Sequence, residues 1–122
     1  MAENLIIKTY EDACMSLGIS SALPDTIKML PKDLRIKIIN NYKLTIITHA
    51  LNGDWQADYK DPNQYKYYPW FFYNNKPLSD NNTYVLPLNA ASNFGAPFVC
   101  RDAETALYLG QQFLPLFKDL LI

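Results

Sequence analysis

The sequence predicts an α+β domain: three main helices, one of them long and central, packed on a small antiparallel sheet of two to three short strands. Three observations carry that class. Apolar residues recur at helical spacing near both ends and through the stretch Pro31–Gly53. Between residues 65 and 101 the pattern changes to short aromatic and β-branched runs separated by turn formers. Helices and strands are thus segregated along the chain rather than alternating, which favours α+β over α/β. At 122 residues the chain reads as one domain, 1–122. A chain of that size buries roughly two-thirds of its unfolded surface, enough for one core.

The first helix is "TYEDACMSLG". Thr9 is placed to cap it, with Asp12 at the capping-box position. Tyr10, Ala13, Cys14 and Leu17 form its apolar face, and Gly18 supplies the left-handed stop. A connector follows, with Pro24 and Pro31 bracketing one turn around Ile27, Met29 and Leu30. The central helix runs from Pro31 to Asn52-Gly53 and would be roughly 33 Å long. Its expected buried side holds Ile36, Ile39, Ile46, Ile47, Ala50 and Leu51, with Tyr42 and Leu44 on the margins. Lys37, Asn41, Thr45, Thr48 and Asn52 fall on the opposite arc.

"DWQADYKDPNQ" has turn residues and no period, so it is a loop. "YKYYPWFFYNN" is extended, and Pro69 makes it an edge strand or two strands meeting at a bulge. "KPLSDNNT" is a connection, "TYVLPL" a second strand and "NAASNFGAP" a loop. "FVCR" is a third short strand leading into a helix capped by Asp102. That helix extends to the end of the chain, with Ala106, Leu107, Gly110, Phe113, Leu114, Phe117 and Leu121 on its buried stripe. Pro115 removes one backbone donor and should bend or restart it.

Composition narrows the function. Eleven basic residues against twelve acidic leave a charge of −1, so no global field draws the chain to phosphate backbones, although a local patch remains open. "MAENLIIKTY" lacks the basic and apolar regions of a signal peptide, and no run is long enough to span a membrane. A cytoplasmic protein is expected. Cys14 and Cys100 have no metal-ligand spacing and read as buried free thiols. His49, the single histidine, has no carboxylate or thiol at i±3 or i±4 and reads as a hydrogen-bonded residue at the core margin. Asp54, Asp58 and Asp61 could gather a cation, but the spacing lacks the glycine and final glutamate of an EF-hand. There is no nucleophile elbow, and with four glycines no phosphate-cradling loop. Neither a metal nor a cofactor is expected, and catalysis by a site of unrecognised type is the weakest reading.

The distinctive stretch is "QYKYYPWFFYNN". Under strict alternation Tyr65, Tyr67, Phe71 and Tyr73 share one face and Tyr68, Trp70 and Phe72 the other, so both faces are aromatic. Three arrangements satisfy this. In the first, both faces are covered within the fold. In the second, one meets another protein, where Tyr and Trp are favoured. In the third, exposed rings beside Lys60, Lys66 and Lys76 stack on bases. The candidate binding set is Tyr65, Lys66, Tyr67, Tyr68, Trp70, Phe72 and Tyr73. A homodimer is compatible with it, since a two-fold contact would cover the second face.

Several blocks together resemble a group of short, uncharacterised proteins encoded by bacteriophages and prophages of gut bacteria. They are "EDAC" with "LGI" (Glu11–Cys14, Leu17–Ile19), "NYKLTIITHALN" (Asn41–Asn52) followed by Trp55, "NQYKYYPWF" (Asn63–Phe71) and the closing "KDLL". Pro115 departs from the group's terminal helix. The resemblance implies a setting, the host cytoplasm or a virion, and no mechanism. Combined with the missing catalytic signatures, it leads to the expectation of a non-catalytic accessory protein. Such a protein would act by binding another protein through the aromatic β-region, as a virion accessory or an inhibitor of host machinery. Binding of single-stranded nucleic acid or a nucleotide is the alternative.

Overall fold

The computed structural model describes residues 7–73, 83–90 and 98–121. Of the connections expected at 76–83 and 89–97, residues 76–82, with Lys76, and 91–97 lie outside the described residues, while Thr83, Asn89 and Ala90 belong to a strand. The architecture is helix-dominant α+β, in the order α1 (Tyr10–Leu17), a 3-10 turn (Asp25–Met29), α2 (Lys32–Asn52), β1 (Lys66–Tyr73), β2 (Thr83–Ala90), α3 (Ala103–Gln112) and α4 (Leu114–Leu121).

Local chemistry sets the helix ends. Thr9 is extended and its Oγ1 accepts the Asp12 amide at 3.0 Å, while the Asp12 carboxylate reaches back to the Lys8 amide at 3.0 Å. Gly18 closes α1 at φ 69°, a conformation that would strain any residue with a Cβ. Pro31 caps α2 from just outside, one residue earlier than its expected place in the first turn. Asp102 accepts the Thr105 amide at 2.7 Å and starts α3. The expected terminal helix is two helices. The break comes at Phe113 (φ −109°, ψ 24°), two residues before Pro115, whose missing N–H cannot continue the ladder.

β1 and β2 pair antiparallel with Lys66 opposite Ala90 and Tyr73 opposite Thr83. Pro69 and Pro87 sit directly opposite one another, so both missing donors fall at the same rung. The third strand expected at Phe98–Arg101 is instead a single antiparallel bridge between Tyr67 and Cys100. The paired strands lie on α3, whereas α2 packs against α1 and α4. The expectation that the long helix backs the β-segments is therefore corrected. Cys100 ties β1 to the start of α3, so α3 inherits that place.

One cluster fills the interior: Tyr10, Ala13 and Cys14 from α1, Leu44, Ile47 and Leu51 from α2, Ala106 and Leu109 from α3, with Phe98, Cys100, Phe113 and Phe117. Here α2 departs from its expected orientation. Thr48 and Asn52, placed on the outward arc, are buried, as is Asn40, whereas Ile36 is exposed. For the two asparagines the reason is polar pairing, whereas the Thr48 hydroxyl is buried with no hydrogen-bond partner among the described residues. Asn40 Nδ2 donates to the Leu116 carbonyl at 3.1 Å, and Asn52 donates to the Val99 carbonyl at 2.9 Å. A buried amide with a partner costs little, and these partners come from elements more than forty residues away.

Candidate functional site: the outer face of the aromatic ribbon

The two faces of β1 meet different surroundings. Tyr67 and Phe71 pack on the core, and the Phe71 ring lies 4.8 Å from that of Phe117. That contact holds the inner face of the ribbon to α4, and Phe98, ahead of the Cys100 bridge, packs on the same Phe117 ring in a T-shaped pair at 5.6 Å. The other face is uncovered at its middle. Tyr68 is half-buried and Trp70 is 49% exposed. The register sets Leu88 opposite Tyr68 and Leu86 opposite Trp70. Tyr65, just before the strand, is 56% exposed. The side chains of Phe72 and Tyr73 lie outside the described residues.

Lys66 does not belong to this surface. Its side chain is fully buried. Nζ donates to the Gln64 carbonyl at 2.9 Å and reaches the Asp61 carbonyl at 3.5 Å, with the Tyr59 ring 5.3 Å away. A buried ammonium is held by carbonyl oxygens and an aromatic face, which replace part of its hydration. Lys66 thereby fastens the 58–64 loop over one end of the outer face. It is a correction to the expected platform: its charge is spent inside the protein and cannot meet a ligand.

The loop acids are also engaged. Asp58 Oδ1 accepts the Lys60 amide at 3.0 Å and Asp61 Oδ1 the Asn63 amide at 2.8 Å, both Asx turns. The Gln64 side chain closes the loop, accepting the Asp58 amide and donating to the Gln56 carbonyl. Among the described residues no group of three His, Cys, Asp or Glu side chains is placed to hold a metal ion.

The other reactive groups lie apart. His49 is exposed, not at a core margin, beside an open hollow of about 370 Å³ shared with Leu17, Ile19, Thr45 and Ile46. Cys14 and Cys100 are free and buried. Burial pushes the Cys100 thiol up to about 12, with Asp102 adding to the rise and Arg101 opposing it. Such a thiol stays protonated and unreactive at neutral pH. No helix among the described residues is long and apolar enough to cross a membrane.

What sequence reasoning missed is the sorting of the rings. Tyr67 and Phe71 face the core and Tyr68 and Trp70 do not, as alternation separates them, but Tyr65, grouped with the first pair, is exposed, and nothing local said which face the core would take. Comparison with protein-family models, with curated proteins and with solved structures gave no match to this chain.

Proposed function

We propose that this is a small non-catalytic accessory protein that binds another protein through the outer face of the β1–β2 ribbon, with Tyr68 and Trp70 as its anchors and exposed Tyr65 just ahead of the strand. The observation that carries the reading is the half-exposed Trp70 indole on a strand whose opposite face is already committed to the core. A large ring left in water beside a second aromatic gains most from a partner that desolvates both. α3 and α4 hold the ribbon from behind, so the face is presented by regular structure and little ordering cost accompanies binding. The resemblance of its sequence blocks to phage and prophage proteins favours a virion accessory or an inhibitor of host machinery as the setting.

Single-stranded nucleic acid is the weaker reading because stacking surfaces add cations that neutralise phosphate. Lys66, the cation nearest the rings in sequence, is buried on backbone carbonyls.

A photo-reactive benzoylphenylalanine at position 70 tests the proposal. In cells of the native host the expected result is a discrete adduct with one polypeptide, absent when the same group replaces exposed Glu104. Absence of an adduct, or tryptophan quenching by an oligonucleotide that salt reverses, would sink it.

A further inference from the structure

A second surface lies at the opposite end of α2. No residue from Met15 to Ile39 is buried, and burial within α2 begins at Asn40. The first two turns of α2 and the 3-10 turn before them therefore stand beyond the core as an arm. Arg35 stiffens it: Nη2 donates to the Lys28 carbonyl at 2.9 Å and the Leu30 carbonyl at 3.0 Å.

The arm is apolar where water meets it. Leu34, Ile38 and Tyr42, at i, i+4 and i+8, are 51%, 41% and 43% exposed. Residues four apart form the ridge that helices use to interlock with one another. Met29 and Ile36 are exposed as well.

The arm is also basic. Residues 25–43 hold five cations, Lys28, Lys32, Arg35, Lys37 and Lys43, against two acids, Asp25 and Asp33, a local charge of +3 in a chain of net −1. Lys43 lies over the Tyr10 ring at 5.1 Å, and the Arg35 guanidinium is bonded to carbonyls. Lys28, Lys32 and Lys37 are exposed, and none has an ion pair among the described residues. By helical rotation Lys37 falls on one side of the Leu34–Ile38–Tyr42 ridge and Lys32 on the other.

Ridge and charge together select the occupant. A second copy of the arm would set +3 against +3. A bilayer plane meets one side of a helix, yet Ile36 lies about 200° around the axis from Ile38, so both cannot enter it. A phosphate backbone offers nothing to the exposed leucine and isoleucines. An acidic helix satisfies both features. We propose that the arm docks an acidic amphipathic helix of a partner protein, whose apolar side chains pack among Leu34, Ile38 and Tyr42 and whose carboxylates face Lys32 and Lys37.

The test uses the full chain and four probes: a labelled helical peptide with a leucine stripe and glutamate flanks, its lysine-flanked counterpart, phosphatidylglycerol vesicles and a single-stranded oligonucleotide. The glutamate peptide is expected to bind, to weaken as salt is raised, and to shift amide resonances within residues 28–43. Ile38→Ser, and Lys32→Glu with Lys37→Glu, should each weaken it by about tenfold or more. These side chains are exposed, so melting should be unchanged, and Trp70→Ser should leave the peptide affinity intact. No binding at low salt, equal binding of the lysine peptide, or preferential binding of vesicles or oligonucleotide would each overturn the proposal. So would a homodimer in light scattering that Ile38→Ser dissociates.

Discussion

Asn52 grips the backbone on either side of Cys100: its Nδ2 donates to the Val99 carbonyl at 2.9 Å, and its Oδ1 accepts the Arg101 amide at 3.1 Å. The residue between them turns the other way. The Cys100 amide and carbonyl bond to Tyr67, the carbonyl accepting at 3.0 Å. One side chain at the end of α2 thus plays the part of a neighbouring strand, so a segment of four residues is satisfied along both edges. The Arg101 guanidinium returns the contact, reaching the Asn52 carbonyl at the helix C-terminus, where a cation is favoured.

Removing that side chain leaves a partly buried donor and a partly buried acceptor orphaned together. Asn52→Ala is expected to destabilise the fold by about 2–4 kcal/mol, read as a lower urea midpoint at unchanged slope. Asn41→Ala, at an exposed position on the same helix, should cost far less.

Lys66 is predicted to be structural. Lys66→Met keeps the apolar stem and abandons the Gln64 and Asp61 carbonyls, at a cost of about 1–3 kcal/mol. Limited proteolysis should then cut within residues 58–64, which resist in the parent protein. Lys60→Met, altering an exposed neighbour, should leave the digestion pattern unchanged.

The two ring faces should separate cleanly by mutation. Phe71→Ala removes the contact with Phe117 and should destabilise by about 3 kcal/mol or more. Trp70→Ser, from the outer face, should stay within about 1 kcal/mol of the parent. Chemical denaturation of both variants checks this, and equal losses would place Trp70 in the core.

Alkaline stability follows from Cys100. Its ordinary value is 9.0 and burial raises it to about 12 in the folded protein. Below pH 9 the thiol is protonated in both states and contributes no pH dependence. Between about 9 and 12 the unfolded chain releases a proton that the folded chain keeps. Stability then falls by about 1.4 kcal/mol per pH unit from this group. Tyr10 and Tyr108 are raised by burial too, and they steepen the fall above pH 10. Thiol reagents at pH 8 should label neither cysteine until denaturant is added.

Much of the framework was legible because it is written locally. Thr9, Gly18 and Asp102 act on amides and dihedral angles within a few residues of themselves, so their neighbours announce them. The restart near Pro115 is of the same kind. The orientation of α2 was not legible, because hydropathy assigns Asn40, Thr48 and Asn52 to water. The burial of Asn40 and Asn52 depends on the Leu116 and Val99 carbonyls, which only the tertiary fold brings close. Lys66 was misplaced for the same reason, since a lysine between tyrosines looks like a phosphate contact until the loop closes over it. The strand FVCR shrank to one bridge because Asn52, a helix residue, already occupies its far edge.

The chain just ahead of α1 is fastened by groups made about a hundred residues later: Tyr108 donates its hydroxyl to the Ile7 carbonyl at 2.7 Å, and Gln112 its amide to the Lys8 carbonyl at 3.1 Å. On the ribosome this segment is consequently sealed late, since its clasp emerges about a hundred residues after it. Nascent chains cut short before residue 108 should keep residues 7 and 8 open to proteases and chaperones, and only the arrival of Tyr108 and Gln112 locks them in place.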